Sequence, residues 1–519
     1  MPGGRIWYGS GRARGQLLNC FVIPTGDSRE AWGKTLSDTV VIAGTGGGIG
    51  ANYSPIRPRD ALIRGTGGKA TGAVSLMVGV DAVGEIIGMG GGRRIALMQC
   101  LSLSHPDITE FLDKKLDLKQ LNNANVSVVF DQDPEVFFQL VRDGKEFPLT
   151  FNGKQIGSIP AAELWMRIVR NALKGGEPGL LNGYLANKMS NIGYIEPLTS
   201  TNPCGEIWMS PYDCCCLGHV VLPRFVKDKE FDWDNLRTTI RTGVRFLDDV
   251  LAVNSYPLPE IEAKCAQLRR IGLGVLGLHH MLIELGLKYN STAGLEFVDK
   301  LFKFLKNESY EASIDLAIEK GPFPGFDADK YLKSAFVKTL KPSIRERIKQ
   351  SGIRNCALNT IAPTGTISMV CEVSSGIEPI FAMAYERRYR KDQDIAIEVV
   401  ADPLFKRYVA DGRSTKNFQN SHDLSMRDHL EMQRACQKHV DNAVSKTINL
   451  PPGTSEEELS ELYMEFIPEL KGVTVYPVGS REDQPLTPLS NDVAEQMVFD
   501  AILGESGGLD GCKTGACET

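Results

Sequence analysis

Thr201-Asn202-Pro203-Cys204-Gly205-Glu206-Ile207, followed by Tyr212-Asp213-Cys214-Cys215-Cys216-Leu217-Gly218, is the most informative stretch of this chain. A helix does not tolerate Asn-Pro and Cys-Gly in such close succession, so Cys204 is expected on a tight loop. In an extended loop the side chains of Asn202, Cys204 and Glu206, spaced two apart, point one way. A carboxylate beside a thiol disfavours the thiolate, which argues against a simple nucleophilic cysteine. No histidine stands close in sequence to form a Cys–His pair, although the fold is free to supply one. The arrangement suits hydrogen-atom chemistry at sulfur, with Glu206 as general base on a neighbouring hydroxyl. On residue types alone, a structural loop with a buried thiol is the plainer account.

Working outward, the 519 residues carry 12 cysteines, too sparse for a disulfide-stapled secreted scaffold. The start, Met1-Pro2-Gly3-Gly4-Arg5-Ile6-Trp7, lacks the basic and then apolar pattern of a secretory signal. A reducing cytoplasm is therefore expected. Cys100, Cys265, Cys356, Cys371 and Cys436 lie among apolar or helical neighbours and read as small buried hydrophobes. With 58 Lys+Arg against 64 Asp+Glu the net charge is −6, a poor basis for binding duplex DNA. No uncharged apolar run reaches the ~18 residues of a membrane span.

Residues 1 to about 100 alternate short apolar runs with glycine loops, and strands with glycine turns are expected there. Ser104-His105-Pro106-Asp107 reads as a helix start, with a capping Ser and a Pro in the first turn. Helical spacing is expected over 162–174, about 295–320 and about 455–467, with a strand at 472–476. Such alternation over this length predicts an α/β fold with a parallel sheet or barrel.

Three loops compete as phosphate cradles: Gly44–Gly50, Gly65–Lys69 and Ala362–Ser368. Gly46-x-Gly48-x-x-Ala51 and Gly65-x-Gly67-x-x-Ala70 are permissive matches to the dinucleotide fingerprint; neither has the usual acid at the right spacing. Pro363-Thr364-Gly365-Thr366-Ile367 is the better anion site, since it follows an apolar run and offers hydroxyls and N–H groups at a helix start. His279-His280 is expected to be a packed or surface pair, because adjacent helical residues diverge by about 100°. The basic run Arg387-Arg388-Tyr389-Arg390-Lys391 reads as a solvated face.

Asn202-Pro203-Cys204-Gly205-Glu206 resembles the catalytic finger loop of ribonucleotide reductase large subunits. Other blocks fall in that family's order: Asn19-Cys20-Phe21-Val22, Gly90–Met98, His105-Pro106-Asp107-Ile108, Ala362–Ser368 with Ser374–Pro379, and Ser445–Pro451. The resemblance implies a ten-stranded α/β barrel of the ribonucleotide reductase and glycyl radical enzyme type, with a central finger loop. It implies a barrel over 1–480, short at its N-terminus and without an ATP cone, and a flexible tail over 481–519. It implies that Cys204 carries a transient thiyl radical, that Glu206 takes the 3′-hydroxyl proton and that Asn202 hydrogen-bonds in the site. Cys20 and Cys215 are then the reducing pair; Cys215 is chosen from the triplet because Cys215-Cys216-Leu217-Gly218 fits the family's Cys-x-Leu-Gly register. Residues 363–367 would grip substrate phosphates, Asp27 and Ser28 would begin the effector site, and Arg93 and Arg94 would lie in the loop linking effector to substrate choice.

In the tail, Cys512 and Cys517 suit a dithiol that shuttles electrons into a buried site by thiol–disulfide exchange. The single tyrosine in Thr474-Val475-Tyr476-Pro477, where class I enzymes have two, makes the chain resemble the adenosylcobalamin-dependent class II. The alternative is a class I large subunit served by a separate metal-radical subunit. The resemblance further implies a ribonucleotide substrate, a deoxynucleotide effector, a thioredoxin-like reductant and a homodimer, with no protein-ligated metal ion, membrane or nucleic acid involved.

Overall fold

The computed structural model describes residues 1–87, 95–116, 121–391, 394–477, 486–489 and 493–494. Five parallel strands form one half of the central sheet: β1 (Cys20–Val22), β2 (Gly48–Asn52), β3 (Leu97–Ser102), β4 (Ala124–Val129) and β5 (Gly179–Leu181). Strand β6 (Cys214–Cys215) runs antiparallel to β1, and after Cys216 the chain continues as β7 (Leu217–Val221), which pairs in parallel with β8 (Gly272–Leu276). On the far side β9 (Thr447–Leu450) and β10 (Gly472–Pro477) are parallel to each other, and β10 lies antiparallel to β5. The result is an eight-stranded mixed sheet in the order β6-β1-β2-β3-β4-β5-β10-β9, with β7–β8 as a separate pair. Between β8 and β9 lies segment 358–361, bridged in parallel through Leu273–Asn359 and Ile361–Val444. There Leu273 N–H donates to the Leu358 carbonyl (2.8 Å) and Ile361 N–H to the Ala443 carbonyl (3.2 Å).

The apolar runs of β3 and β4 follow from burial: all of Leu97–Ser102 is enclosed, and in β4 only Asn125 is open. Helices cover the outer faces. Ala161–Gly175 packs its apolar stripe (Leu164, Trp165, Ile168, Val169, Ala172) inward, and Thr292–Lys320 packs along Trp233–Val253. These helices, and Glu456–Phe466, sit where periodicity places them. Gly472–Pro477 is a strand as expected.

Two expectations need correction. Residues 1–100 contain two substantial helices, Arg29–Gly44 and Ala73–Ile86, besides strands and turns. The run Asp38-Thr39-Val40-Val41-Ile42 has strand propensity, but Ser28 caps the helix by accepting from Ala31 N–H (3.1 Å), and packing against Ala73–Ile86 holds it. The helix expected at Ser104 begins at Ile108. Asp107 there serves the helix at Ala73 instead: its carboxylate accepts from Ala73 N–H (3.0 Å) and Arg59 N–H (2.9 Å). The Gly46–Ala51 fingerprint is no dinucleotide turn, because Gly48–Asn52 is strand β2. His279 and His280 are both buried, His279 accepting from Ile380 N–H and His280 paired with Asp402.

Candidate active site

The signature stretch folds as a hairpin. Ser200–Thr201 pairs antiparallel with Trp208–Met209, and residues 202–207 form its tip. Asn202 closes the tip: its N–H donates to the Ile207 carbonyl (3.2 Å), and its Oδ1 accepts from Ile207 N–H (3.0 Å). Gly205 sits at φ +80°, a left-handed turn that a side chain would strain. Both halves of the strand framework grip this finger. Strand β2 supplies glycines where it passes: a Cβ on Gly50 would lie 1.8 Å from the Thr201 carbonyl oxygen, and one on Gly48 would lie 2.9 Å from Cys20 Sγ and 3.0 Å from Pro203. From β4, Asn125 Nδ2 donates to the Pro203 carbonyl (2.8 Å). From the opposite side, Thr360 Oγ1 and Ala443 N–H donate to the Glu206 carbonyl (2.6 and 2.8 Å). Sequence reading missed Asn125 and Thr360, and it took Gly48 and Gly50 for part of a phosphate loop rather than for room left to the finger.

Three thiols meet at this point. Cys20 and Cys215 are cross-strand partners on β1 and β6, their side chains packed in one cluster. Asn202 Nδ2 donates to Cys20 Sγ (3.8 Å). The Cys20 thiol is pushed well above the usual range by Cys215 beside it, by burial and by nearby Glu206. Strand alternation turns Cys214 and Cys216 the other way: Cys214 bonds Cys265, and Cys216 Sγ donates to the Leu247 carbonyl (3.7 Å). Of the triplet, only Cys215 packs with Cys20.

Cys204 faces open space within the protein. It lines a cavity of about 300 Å³ together with Asn125, Glu177, Pro363, Lys446 and Tyr476. Cys204 itself is exposed into this space, and the protein atoms around it, with Glu206 and Cys20 nearby, push the thiol above its ordinary value. Glu206 is buried, and among the described residues its Oε2 has no hydrogen-bond partner. Desolvation raises its carboxyl to about 7 against the opposing pull of hydrogen bonds from Asn202 and its own backbone. A carboxyl poised there, with a free oxygen, can take a proton near neutral pH. Behind the cavity, the fully buried Lys446 ammonium is paired with Glu378 and bonded to His429 Nδ1 (2.9 Å). Among the described residues no cluster of three or more His, Cys, Asp or Glu is arranged to hold a metal ion.

The family model "Ribonucleotide reductase, barrel domain" matches residues 18–476. The chain belongs to the ribonucleotide reductase barrel family. Relatives include a protein named vitamin B12-dependent ribonucleoside-diphosphate reductase from Thermoplasma acidophilum, 36% identical over all of this chain and 70% of its own length. One of the same name from Mycobacterium tuberculosis is 34% identical over the whole chain and 75% of its length. A vitamin B12-dependent ribonucleotide reductase from Streptomyces coelicolor is 24% identical over 94% of this chain and 59% of its own length.

The remaining expected site residues of this ribonucleotide reductase barrel lie in three places. Gly365–Val370 is a short helix with Thr364 at its N-cap in the left-handed region (φ 58°). Thr364 Oγ1 accepts from Gly376 N–H (2.7 Å), Pro363 lines the Cys204 cavity, Gly365 and Thr366 are exposed, and Ile367 is buried. Asp27 and Ser28 lie together before helix Arg29–Gly44; Asp27 is paired with Arg57 (2.9 Å) and Ser28 is the cap. Arg93, Arg94, Cys512 and Cys517 lie outside the described residues, as do the side chains of Arg387–Lys391.

Proposed function

We propose that the protein reduces ribonucleoside diphosphates to 2′-deoxyribonucleotides by thiyl-radical chemistry at Cys204. The observation that carries this reading is the meeting of Cys204, Glu206, Asn202 and the Cys20–Cys215 pair at one finger tip. The Cys204 thiyl takes the 3′ hydrogen atom from the ribose while Glu206 takes the 3′-hydroxyl proton. The 2′-hydroxyl, protonated by the thiol pair, leaves as water. Cys20 and Cys215 supply two electrons and become a disulfide, and Cys204 returns the hydrogen to C3′. Atoms and electrons balance as one ribonucleotide and two thiols giving one deoxyribonucleotide, one disulfide and one water.

Adenosylcobalamin is the proposed radical source, as the relatives' names suggest, and the open approach to Cys204 suits it. The cavity walls near the thiol include Gly175, Gly176 and Gly205, beside Tyr476. When bound, this group supplies a carbon-centred radical by cobalt–carbon homolysis. A class I reading, with a separate radical subunit, is not favoured by these relatives.

The ten strands and strand-like segments, taken with the bridges at 273–359 and 361–444, support a closed ten-stranded barrel: 358–361 fills the gap between β8 and β9, while β6 and β7 act as one strand. Residues 1–480 would form that barrel and 481–519 a tail whose Cys512 and Cys517 re-reduce the pair, with a thioredoxin-like reductant behind them. Residues 363–367 would bind substrate phosphates at the start of their short helix, where Gly365 and Thr366 are exposed. Asp27 and Ser28 would hold a deoxynucleotide effector, with Arg93 and Arg94 relaying its identity. A homodimer is proposed through helices Arg29–Gly44 and Ala73–Ile86, which leave Val40 (39%), Val41 (39%) and Ile86 (79%) exposed. Among the described residues no helix is long and apolar enough to cross a membrane, and the described cysteines are free thiols, in keeping with a cytoplasmic setting. The direct test is incubation with each ribonucleotide, a dithiol and adenosylcobalamin. Cofactor-dependent deoxynucleotide formation, abolished by Cys204→Ala, is expected; turnover without the cofactor overturns the class II reading.

A further inference from the structure

The finger tip is held at two points by groups from opposite sides, and the two hold different parts of the chemistry. Thr360 and Ala443 fix the Glu206 carbonyl. On the Cys204 side, Asn125 Nδ2 donates to the Pro203 carbonyl (2.8 Å), the peptide group that joins Pro203 to Cys204. Because a peptide unit is planar, fixing that carbonyl fixes the position of the Cys204 Cα and the cone in which its sulfur swings. Among the described residues no other hydrogen bond reaches the Pro203 carbonyl: Gly205 N–H bonds Asn202, and the closure between Asn202 and Ile207 spans the tip without touching it.

Asn125 is unusual in its strand. The other residues of Ala124–Val129 are buried, five of them in all, while Asn125 opens into the cavity it shares with Cys204. A polar amide in that position costs nothing in core packing and leaves its donor free to face the finger. We propose that Asn125 is a positioning residue for the Cys204 sulfur, holding the Pro203–Cys204 peptide so that the thiol stays aimed into the cavity. The proposal rests on the reading of Cys204 as radical carrier, and it adds that the carrier's aim is set by a strand outside the finger.

The test compares Asn125→Ala with Asn125→Leu in the full-length protein. Leucine keeps the shape of the side chain and loses the N–H donor. Without cofactor or substrate, the rate of iodoacetamide labelling at Cys204 is read by peptide mass spectrometry, with the half-buried Cys371 as internal reference. Both variants should label Cys204 faster by roughly 2- to 12-fold, what one net hydrogen bond is worth, with Cys371 unchanged. In turnover kcat should fall by about 10- to 100-fold, as a misplacement of about 1 Å costs, with KM for the nucleotide little changed. If Asn125→Leu behaves as wild type in both measurements, the side chain only fills space and the proposal falls. Cys204→Ala separates the two ideas: reduction surviving in that variant sinks the radical-carrier reading itself, whereas a dead Cys204→Ala beside a wild-type-like Asn125→Leu sinks only the positioning role.

Discussion

Glu206→Gln should make the protein more stable and less active at once, and only above neutral pH should the stability gain be full. The carboxyl is buried with one oxygen unpartnered among the described residues, and desolvation raises it from the ordinary 4.5 to about 7. Below pH 4.5 the group is protonated in both folded and unfolded chains and contributes no difference. Between 4.5 and about 7 the unfolded chain releases the proton while the folded chain keeps it, so stability falls as pH rises. The shift, at about 1.36 kcal/mol per pKa unit, amounts to roughly 3 kcal/mol by pH 8. Glutamine is neutral throughout and escapes this cost. With an unfolding entropy of about 2.1 cal/mol/K per residue, the gain corresponds to roughly 3 °C in Tm for a chain this long. Thermal melts of both proteins at pH 5 and pH 8 should therefore show Tm curves that nearly coincide at the lower pH and separate at the higher. Loss of a positioned general base should cut kcat by about 10²- to 10⁴-fold. A difference between the two proteins that is flat with pH would refute the desolvated carboxyl, and unchanged kcat would refute its role as base.

Gly50→Ala should cripple the enzyme, because the added Cβ would fall 1.8 Å from the Thr201 carbonyl and must push the finger away; loss of turnover with a melting temperature lowered by several degrees is expected in activity and calorimetric assays. A single turnover without external reductant should yield a Cys20–Cys215 disulfide, since only Cys215 of the triplet faces Cys20. Peptide mapping that finds Cys214 or Cys216 joined to Cys20 would contradict the strand register. Thr364→Val removes the bond accepted from Gly376 N–H (2.7 Å) and loosens the loop at 363–367; KM for the nucleotide should rise roughly 2- to 12-fold, with kcat nearly kept. An unchanged KM would place the phosphates elsewhere.

Asn202, Cys204 and Glu206 stood out in the sequence because they alternate on a loop that no helix tolerates, but residue type alone favoured a structural loop, and the chemistry proposed for them came from the family resemblance. The long amphipathic helices were legible too, since 3.6-residue periodicity survives in Ala161–Gly175 and Thr292–Lys320. The helix Arg29–Gly44 was not, because its β-branched run favours a strand locally and its helical state is settled by a cap and by packing against Ala73–Ile86. Gly48 and Gly50 resembled a nucleotide-binding turn; only the fold reveals that they make room for a crossing chain. The sequence by itself determined that a thiol and a carboxylate alternate on a tight loop. Tertiary structure alone decided that Glu206 is stripped of water and that Asn125 and Thr360 hold the finger, while its strand register sets Cys20 opposite Cys215, the pair that the family resemblance implied. Those are relations between segments far apart along the chain, set by sheet register and by the dielectric of a closed interior, and no local pattern of residues encodes either.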